Sequence, residues 1–176
     1  MDNLKNKTVV IGISGGISAY KICALTSSLQ KQGADVHIIL TKHAQHFVTP
    51  LSLQTLSKNK VIVDMFDANY QPNVQHISLA KKADILVIAP ATANIIAKIA
   101  HGIADDFLTT NTLATMAPKL ICPAMNTDML RNPITQENIK KLKSLGYYIL
   151  YGEEGHLACG DSGLGRMAEP EVIERH

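Results

Sequence analysis

The first apolar run, Thr8-Val9-Val10-Ile11-Gly12-Ile13, is nearly continuous rather than alternating, the pattern of a strand covered on both faces in a parallel sheet. It ends in a glycine turn, Ser14-Gly15-Gly16. Within Ile17 to Gln32, Ile22, Leu25 and Leu29 recur at helical spacing, and Gly33 stands where a helix stop belongs. A second strand is predicted over Asp35 to Leu40. Thr41 follows it, then a helix through His43 and His46, a helical piece from Pro50 to Ser57, and a short strand from Val61 to Asp64. The stretch from Phe66 to Gln75 is polar and holds Pro72, so it reads as a loop feeding a helix that begins near His76.

Ile85 to Ala89 is the clearest buried strand, and it is expected to stop at Pro90, which has no N–H for a sheet ladder. Ala91 to His101 reads as a helix closed by Gly102, and Asp105-Asp106 opens another, because acids favour the positive end of a helix dipole. Lys119 to Cys122 is a further core strand before Pro123. Thr135 to Leu145 is helical with Gly146 as its stop, and Tyr147 to Leu150 is a last strand. Gly152 to Pro170 contains glycines 152, 155, 160, 163 and 165 and is expected to be a functional flap or a mobile loop rather than an element.

Strands alternating with helices at this spacing predict one domain over residues 1–176: a doubly wound, Rossmann-like or flavodoxin-like α/β parallel sheet with ligands at the carboxyl ends of its strands. Ser14 to Ser18, Thr41, Pro90 to Asn94 and Pro123 to Met129 all fall at such ends. Charge removes other classes. With 18% charged residues, 46% hydrophobic ones and a net charge of +2, neither disorder nor a nucleic-acid partner is indicated. The most apolar stretch, Ile85 to Ala100, is too short and too interrupted to span a membrane, and no signal segment opens the chain, so a cytoplasmic location is expected. Three scattered cysteines, Cys23, Cys122 and Cys159, fit a reducing compartment.

The first turn limits the ligand. A dinucleotide fingerprint needs G-x-G-x-x-G and an acid after the second strand, yet position 14 is Ser, position 17 is Ile, and the strand ends Leu40-Thr41. The phosphate loop of ATPases fails as well, since Ile22 follows Lys21 and no G-x-x-x-x-G precedes it. What remains is a glycine turn with the hydroxyls of Ser14 and Ser18 at a helix start, near Thr41, Thr92 and Asn94. That set suits a single phosphate monoester, or is merely a tight capped turn.

Four segments in order carry a family resemblance: Gly15-Gly16-Ile17-Ser18-Ala19-Tyr20-Lys21; Pro90-Ala91-Thr92-Ala93-Asn94 continuing to Lys98 and Gly102-Ile103-Ala104-Asp105-Asp106; Pro123-Ala124-Met125-Asn126-Thr127-Asp128-Met129; and Ala158-Cys159-Gly160-Asp161-Ser162-Gly163-Leu164-Gly165-Arg166-Met167. Together they resemble the flavin-containing cysteine decarboxylases, over nearly the whole chain. The resemblance implies FMN held by Gly15, Gly16, Ser18, Thr41, Thr92 and Asn94. It implies His76, Asn126 and Cys159 as catalytic residues, and Asn126, Met129, Gly160, Arg166 and Met167 on the substrate side, with the glycine-rich segment as a flexible substrate clamp. It also implies a homotrimer or homododecamer with the flavin at subunit interfaces, no metal, and 4'-phosphopantothenoylcysteine as substrate. In many bacteria the activity is the N-terminal half of a longer protein with a ligase half. One departure is Leu130, where the family often has Trp after the motif's methionine.

The implied chemistry explains these residue types. An N-acyl cysteine carboxylate has no electron sink for the carbanion left by loss of CO2. Oxidation of its CH2–SH to a thioaldehyde provides one, loss of CO2 then gives an enethiolate, and return of the electrons yields the thiol of 4'-phosphopantetheine. His76 is the acid/base candidate, the alternative being a solvated residue at a helix start. Asn126 can donate to the carboxylate without a full charge, or serve as a helix cap. Cys159 would return a proton in the reductive half. Cys23 and Cys122 read as packing residues, and His156, Cys159 and Asp161 do not make a zinc site without a second half-site. Asp105 and Asp106 point about 100° apart on a helix, which favours dipole and capping roles. Lys21 and Lys98 are either solvated or phosphate-directed. Two other readings stay open: a peptidyl-cysteine decarboxylase of lantibiotic biosynthesis, which stops at the enethiol, and a non-catalytic FMN-binding regulatory subunit.

Overall fold

The computed structural model describes residues 4–65, 75–156, 160 and 162–176. Five parallel strands form one sheet in the order β2-β1-β3-β4-β5: β1 Thr8–Ile13, β2 Asp35–Leu40, β3 Ile85–Ala91, β4 Lys119–Pro123 and β5 Tyr148–Ile149. This is the flavodoxin-like doubly wound order expected from the sequence. Because side chains alternate along a strand, β1 feeds two cores. Val9, Ile11 and Ile13 face one layer, with α1 (Ile22–Lys31), α2 (Pro50–Ser57) and α8 (Pro170–Arg175). Val10 faces the other, with α3 (Gln75–Lys82), α4 (Ala93–Ala100), α5 (Phe107–Ala114) and α7 (Pro133–Ser144). Gly12 also belongs to this second face, where a Cβ would run into the Leu108 side chain; its absence lets α5 lie against the strand.

Local chemistry sets the helix limits. The expected helix from Ile17 divides into a 3-10 turn, Ile17–Lys21, and α1. Thr92 caps α4 by accepting the Ile95 N–H, which moves the helix start from Ala91 to Ala93. Asp106 and Thr109 form a reciprocal capping box at α5, the capping role anticipated for the acidic pair. Gly33, Gly102 and Gly146 follow helices in left-handed conformation, as their positions required. Val61–Asp64 contributes only a single bridge, Ile39 to Ile62.

Three expectations need correction. β3 runs through Pro90 to Ala91, because the ladder shifts register after Ile88 and resumes with Ala91 beside Pro123; the Ala89–Pro90 bond is cis. The stretch from Gly152 to Pro170 is not wholly without elements. Gly155–His156 (β6) pairs antiparallel with Ser162–Gly163 (β7), and Tyr151 bridges Met167. The short helices α6 (Thr127–Arg131) and α8 were not anticipated, their few turns giving no readable periodicity. Among the described residues no helix is long and apolar enough to cross a membrane.

Candidate active site

The strand order turns between β1 and β3, and the two chain ends leaving those strands are joined there. The buried Ser14 hydroxyl donates to the Pro90 carbonyl at 2.6 Å and accepts the Thr92 N–H at 3.1 Å. On either side of this junction lies a cleft. The smaller, about 520 Å³, is lined by Gly15, Gly16, Ser18, Lys21, Thr92, Asn126, Met129, Arg166 and Met167, with Ile17 and Tyr20 at its mouth. The larger, about 930 Å³, is lined by Ser14, Gly15, Thr41, Thr92 and Asn94, with apolar walls from Ile39, Ile95, Phe107 and Leu108.

The residues that sequence analysis put in one cofactor set are thus divided. Gly15 and Thr92 belong to both clefts, Gly16 and Ser18 to the smaller, Thr41 and Asn94 to the larger. Gly15 is a position where bulk is excluded: a Cβ there would sit 2.7 Å from His43 Cβ. A turn without a side chain, hydroxyls beside it and an apolar chamber fit a phosphate-bearing flat ring. Of the residues expected on the substrate side, Asn126, Met129, Arg166 and Met167 line the smaller cleft together, and Gly160 is not among its described lining residues. Asn126 also fills the capping role foreseen as its alternative. Its Oδ1 accepts the Asp128 N–H at 2.8 Å to open α6, so donation to a ligand falls to Nδ2.

His76 is not among the described residues lining either cleft. Its ring meets Phe107 edge-on, centroids 6.2 Å apart, and its backbone carbonyl accepts from Asn111 Nδ2 at 2.8 Å, which fixes α3 on α5. Among the described residues, His76 and Asn126 therefore share no cleft. Cys159 lies outside the described residues, as do Asp161 and hence the zinc corner; Gly160 is exposed with a φ of +92°. Burial pushes the Cys122 thiol up to about 12, consistent with a packing residue.

The two undecided lysines are paired. Lys98 binds Asp105 at 2.7 Å beside the larger cleft, and Lys21 binds Glu169 at 2.6 Å in the smaller one. Phe107 and Leu108, walls of the larger cleft, carry no motif in the sequence that marks them as such. The capping-box pair Asp106 and Thr109 that flanks them is the local signal that α5 starts there, with its first turn against the sheet.

A family model described as Flavoprotein matches residues 1–175. The chain belongs to the flavoprotein family. This flavoprotein is 48% identical over 170 residues to the coenzyme A biosynthesis bifunctional protein CoaBC of Bacillus subtilis (strain 168), a match that takes in 97% of this chain and 42% of that protein. It spans less than half the length of the curated relatives it matches. Among solved structures, a PPC decarboxylase mutant complexed with pantothenoylaminoethenethiol aligns with a TM-score of 0.85 and 35% identity, covering 96% of this chain and 94% of that one. The FMN-dependent cysteine decarboxylase SpaF aligns with a TM-score of 0.81 and 29% identity over 99% of this chain and 95% of the other.

Proposed function

We propose that this flavoprotein, with FMN bound, decarboxylates 4'-phospho-N-pantothenoylcysteine to 4'-phosphopantetheine in coenzyme A biosynthesis. The observation that carries this reading is the 35% identity and near-complete overlap with a PPC decarboxylase, together with the grouping of Asn126, Met129, Arg166 and Met167 in one cleft that shares Gly15 and Thr92 with its neighbour. Gly15, Gly16, Ser18, Thr41, Thr92 and Asn94 would hold FMN. When bound, FMN supplies a reversible two-electron oxidation, which gives the carboxylate the electron sink it otherwise lacks.

The chain's own residues then orient and protonate. Asn126 donates from Nδ2 to the carboxylate, and its neutrality avoids over-stabilising the ground state. Met129 and Met167 supply apolar walls that keep water from the reacting carbon. Cys159 returns a proton in the reductive half, and Gly160 belongs to the segment that closes on the substrate. His76 serves as acid/base from a neighbouring copy in a homotrimer or homododecamer; that it lines neither cleft of its own chain among the described residues supports an arrangement of this kind. Residues 1–176 act as one flavoprotein domain, in the cytoplasm, where coenzyme A biosynthesis would place it.

Anaerobic incubation of FMN-loaded protein with 4'-phosphopantothenoylcysteine, read by mass spectrometry, is expected to show loss of CO2 and the mass of the saturated thiol. No loss of CO2 from flavin-bearing protein overturns the reading. A product two hydrogens lighter points instead to the enethiol-forming peptidyl-cysteine decarboxylases. Cys159→Ser is expected to accumulate that lighter product, and an unchanged product removes the proton-donor role.

A further inference from the structure

Three charged side chains share one contact at the wall of the smaller cleft. A single carboxylate oxygen, Glu169 Oε1, accepts from Lys21 Nζ at 2.6 Å and from Arg166 Nη2 at 2.9 Å. Lys21 and Arg166 line the cleft, whereas Glu169 is not among its described lining residues. The Lys21 side chain is only 15% exposed, so its ammonium is confined where an uncompensated neighbouring guanidinium would repel it. The carboxylate between them removes that repulsion and makes both hydrogen bonds charge-assisted. Glu169 is itself held by buried structure: Met167 and Ala168 precede it, and Pro170 begins α8, whose Ile173 joins the core around α1. Arg166 is also confined from behind, because a Cβ on Gly155 would run into its guanidinium. The trio presents two donors and one net positive charge to the cleft.

We propose that Glu169 is a positioning residue, holding Lys21 and Arg166 together as one cationic unit for an oxyanion of the substrate. The inference rests on the decarboxylase reading, whose substrate carries two such groups, a carboxylate and a phosphate. Glu169 does not touch the reacting atoms. It acts by fixing the two residues that meet the oxyanion.

Steady-state kinetics of FMN-loaded Glu169→Gln test this. The substitution keeps the size of the side chain and removes its charge. KM is expected to rise about tenfold with a much smaller change in kcat, because ground-state binding of the anion is what loosens. Flavin content should stay at its wild-type value, the melting temperature should fall only slightly, as for loss of a half-exposed ion pair, and Glu169→Asp should recover part of the affinity. Repeating the comparison with pantothenoylcysteine, which lacks the phosphate, separates the two oxyanions: a vanished difference assigns the pair to the phosphate, a persisting one to the carboxylate. An unchanged KM in Glu169→Gln overturns the proposal. So does an activity loss matched by falling melting temperature and flavin content, which would mark Glu169 as structural only. If wild-type protein binds substrate without decarboxylating it, the functional reading fails, and the calorimetric affinities of the two proteins still decide the role of Glu169.

Discussion

Ser14 and Thr92 are joined across the sheet at the carboxyl ends of β1 and β3, the Ser14 hydroxyl accepting the Thr92 N–H at 3.1 Å while it donates to the Pro90 carbonyl at 2.6 Å. The bond spans 78 residues of sequence and fixes the N-terminus of α4 against the glycine turn. It thereby sets the distance between the two halves of the candidate cofactor site.

Ser14→Ala should unfold more easily, since it strands the Thr92 N–H and leaves the Pro90 carbonyl only its longer bond from the Ser14 N–H at 3.3 Å. A loss of about 1–3 kcal/mol is expected. Urea unfolding of flavin-free protein measures it, and a parallel titration should show weaker FMN binding. An unchanged midpoint would mean that water replaces the hydroxyl at no cost.

Gly165 has a φ of +131°, its carbonyl accepts the Met125 N–H at 2.9 Å, and a Cβ there would run into the Met125 carbonyl oxygen. Gly165→Ala is therefore strained twice over, by backbone conformation and by contact, at about 1–3 kcal/mol for the conformation alone. The melting temperature should fall, and turnover should fall further than stability explains, because Arg166 would move away from the Met125-Asn126 turn. Wild-type melting and turnover together would contradict this.

Thr26 lies fully buried in α1, and its Oγ1 has no hydrogen-bond partner among the described residues. Thr26→Val keeps the branched shape and removes the stranded hydroxyl. A gain of about 1 kcal/mol is expected, which for a chain of this size raises the melting temperature by about 2–4 °C. Calorimetry that found a lower melting temperature would show that the hydroxyl is satisfied.

Acid should weaken the fold through Asp35. Burial pushes its carboxyl up, but hydrogen bonds from Lys82, Asn59 and His37 outweigh that and hold it at about 2, below its ordinary 3.8. The unfolded chain thus takes up the proton first, so the stability contributed by the ionised group is present above pH 3.8 and lost as pH falls toward about 2. Glu169, held below the usual carboxylate range chiefly by the Lys21 hydrogen bond, acts in the same direction. Urea midpoints between pH 5 and pH 2, values chosen to bracket this window, should fall less steeply for Asp35→Asn than for the wild type. Parallel slopes would exclude Asp35 as a contributor.

The sheet was legible because β1 and β3 are buried on both faces and so leave continuous apolar runs, as in Val9-Val10-Ile11 and Leu86-Val87-Ile88. Helix ends were legible where a residue must adopt a special conformation, as at Gly33 and Gly146. α6 and α8 were not, since five and six residues show no period. Asn126, Met129, Arg166 and Met167 were legible as motif positions and do line one cleft, whereas Gly160, expected with them, is not among its described lining residues. The pairing of Lys21 with Glu169, 148 residues away, was not, because no local pattern ties the two positions together. Nor was the division of the glycine and hydroxyl residues between two clefts, which depends on how β1 and β3 lie side by side.

Gly15 and Thr92 line both hollows, so the two adjoin at these residues. A compound with one arm in each hollow would need only a short tether past Gly15 and Thr92. Its second arm would then bind at high effective concentration, giving an inhibitor tighter than either fragment alone without any new contact.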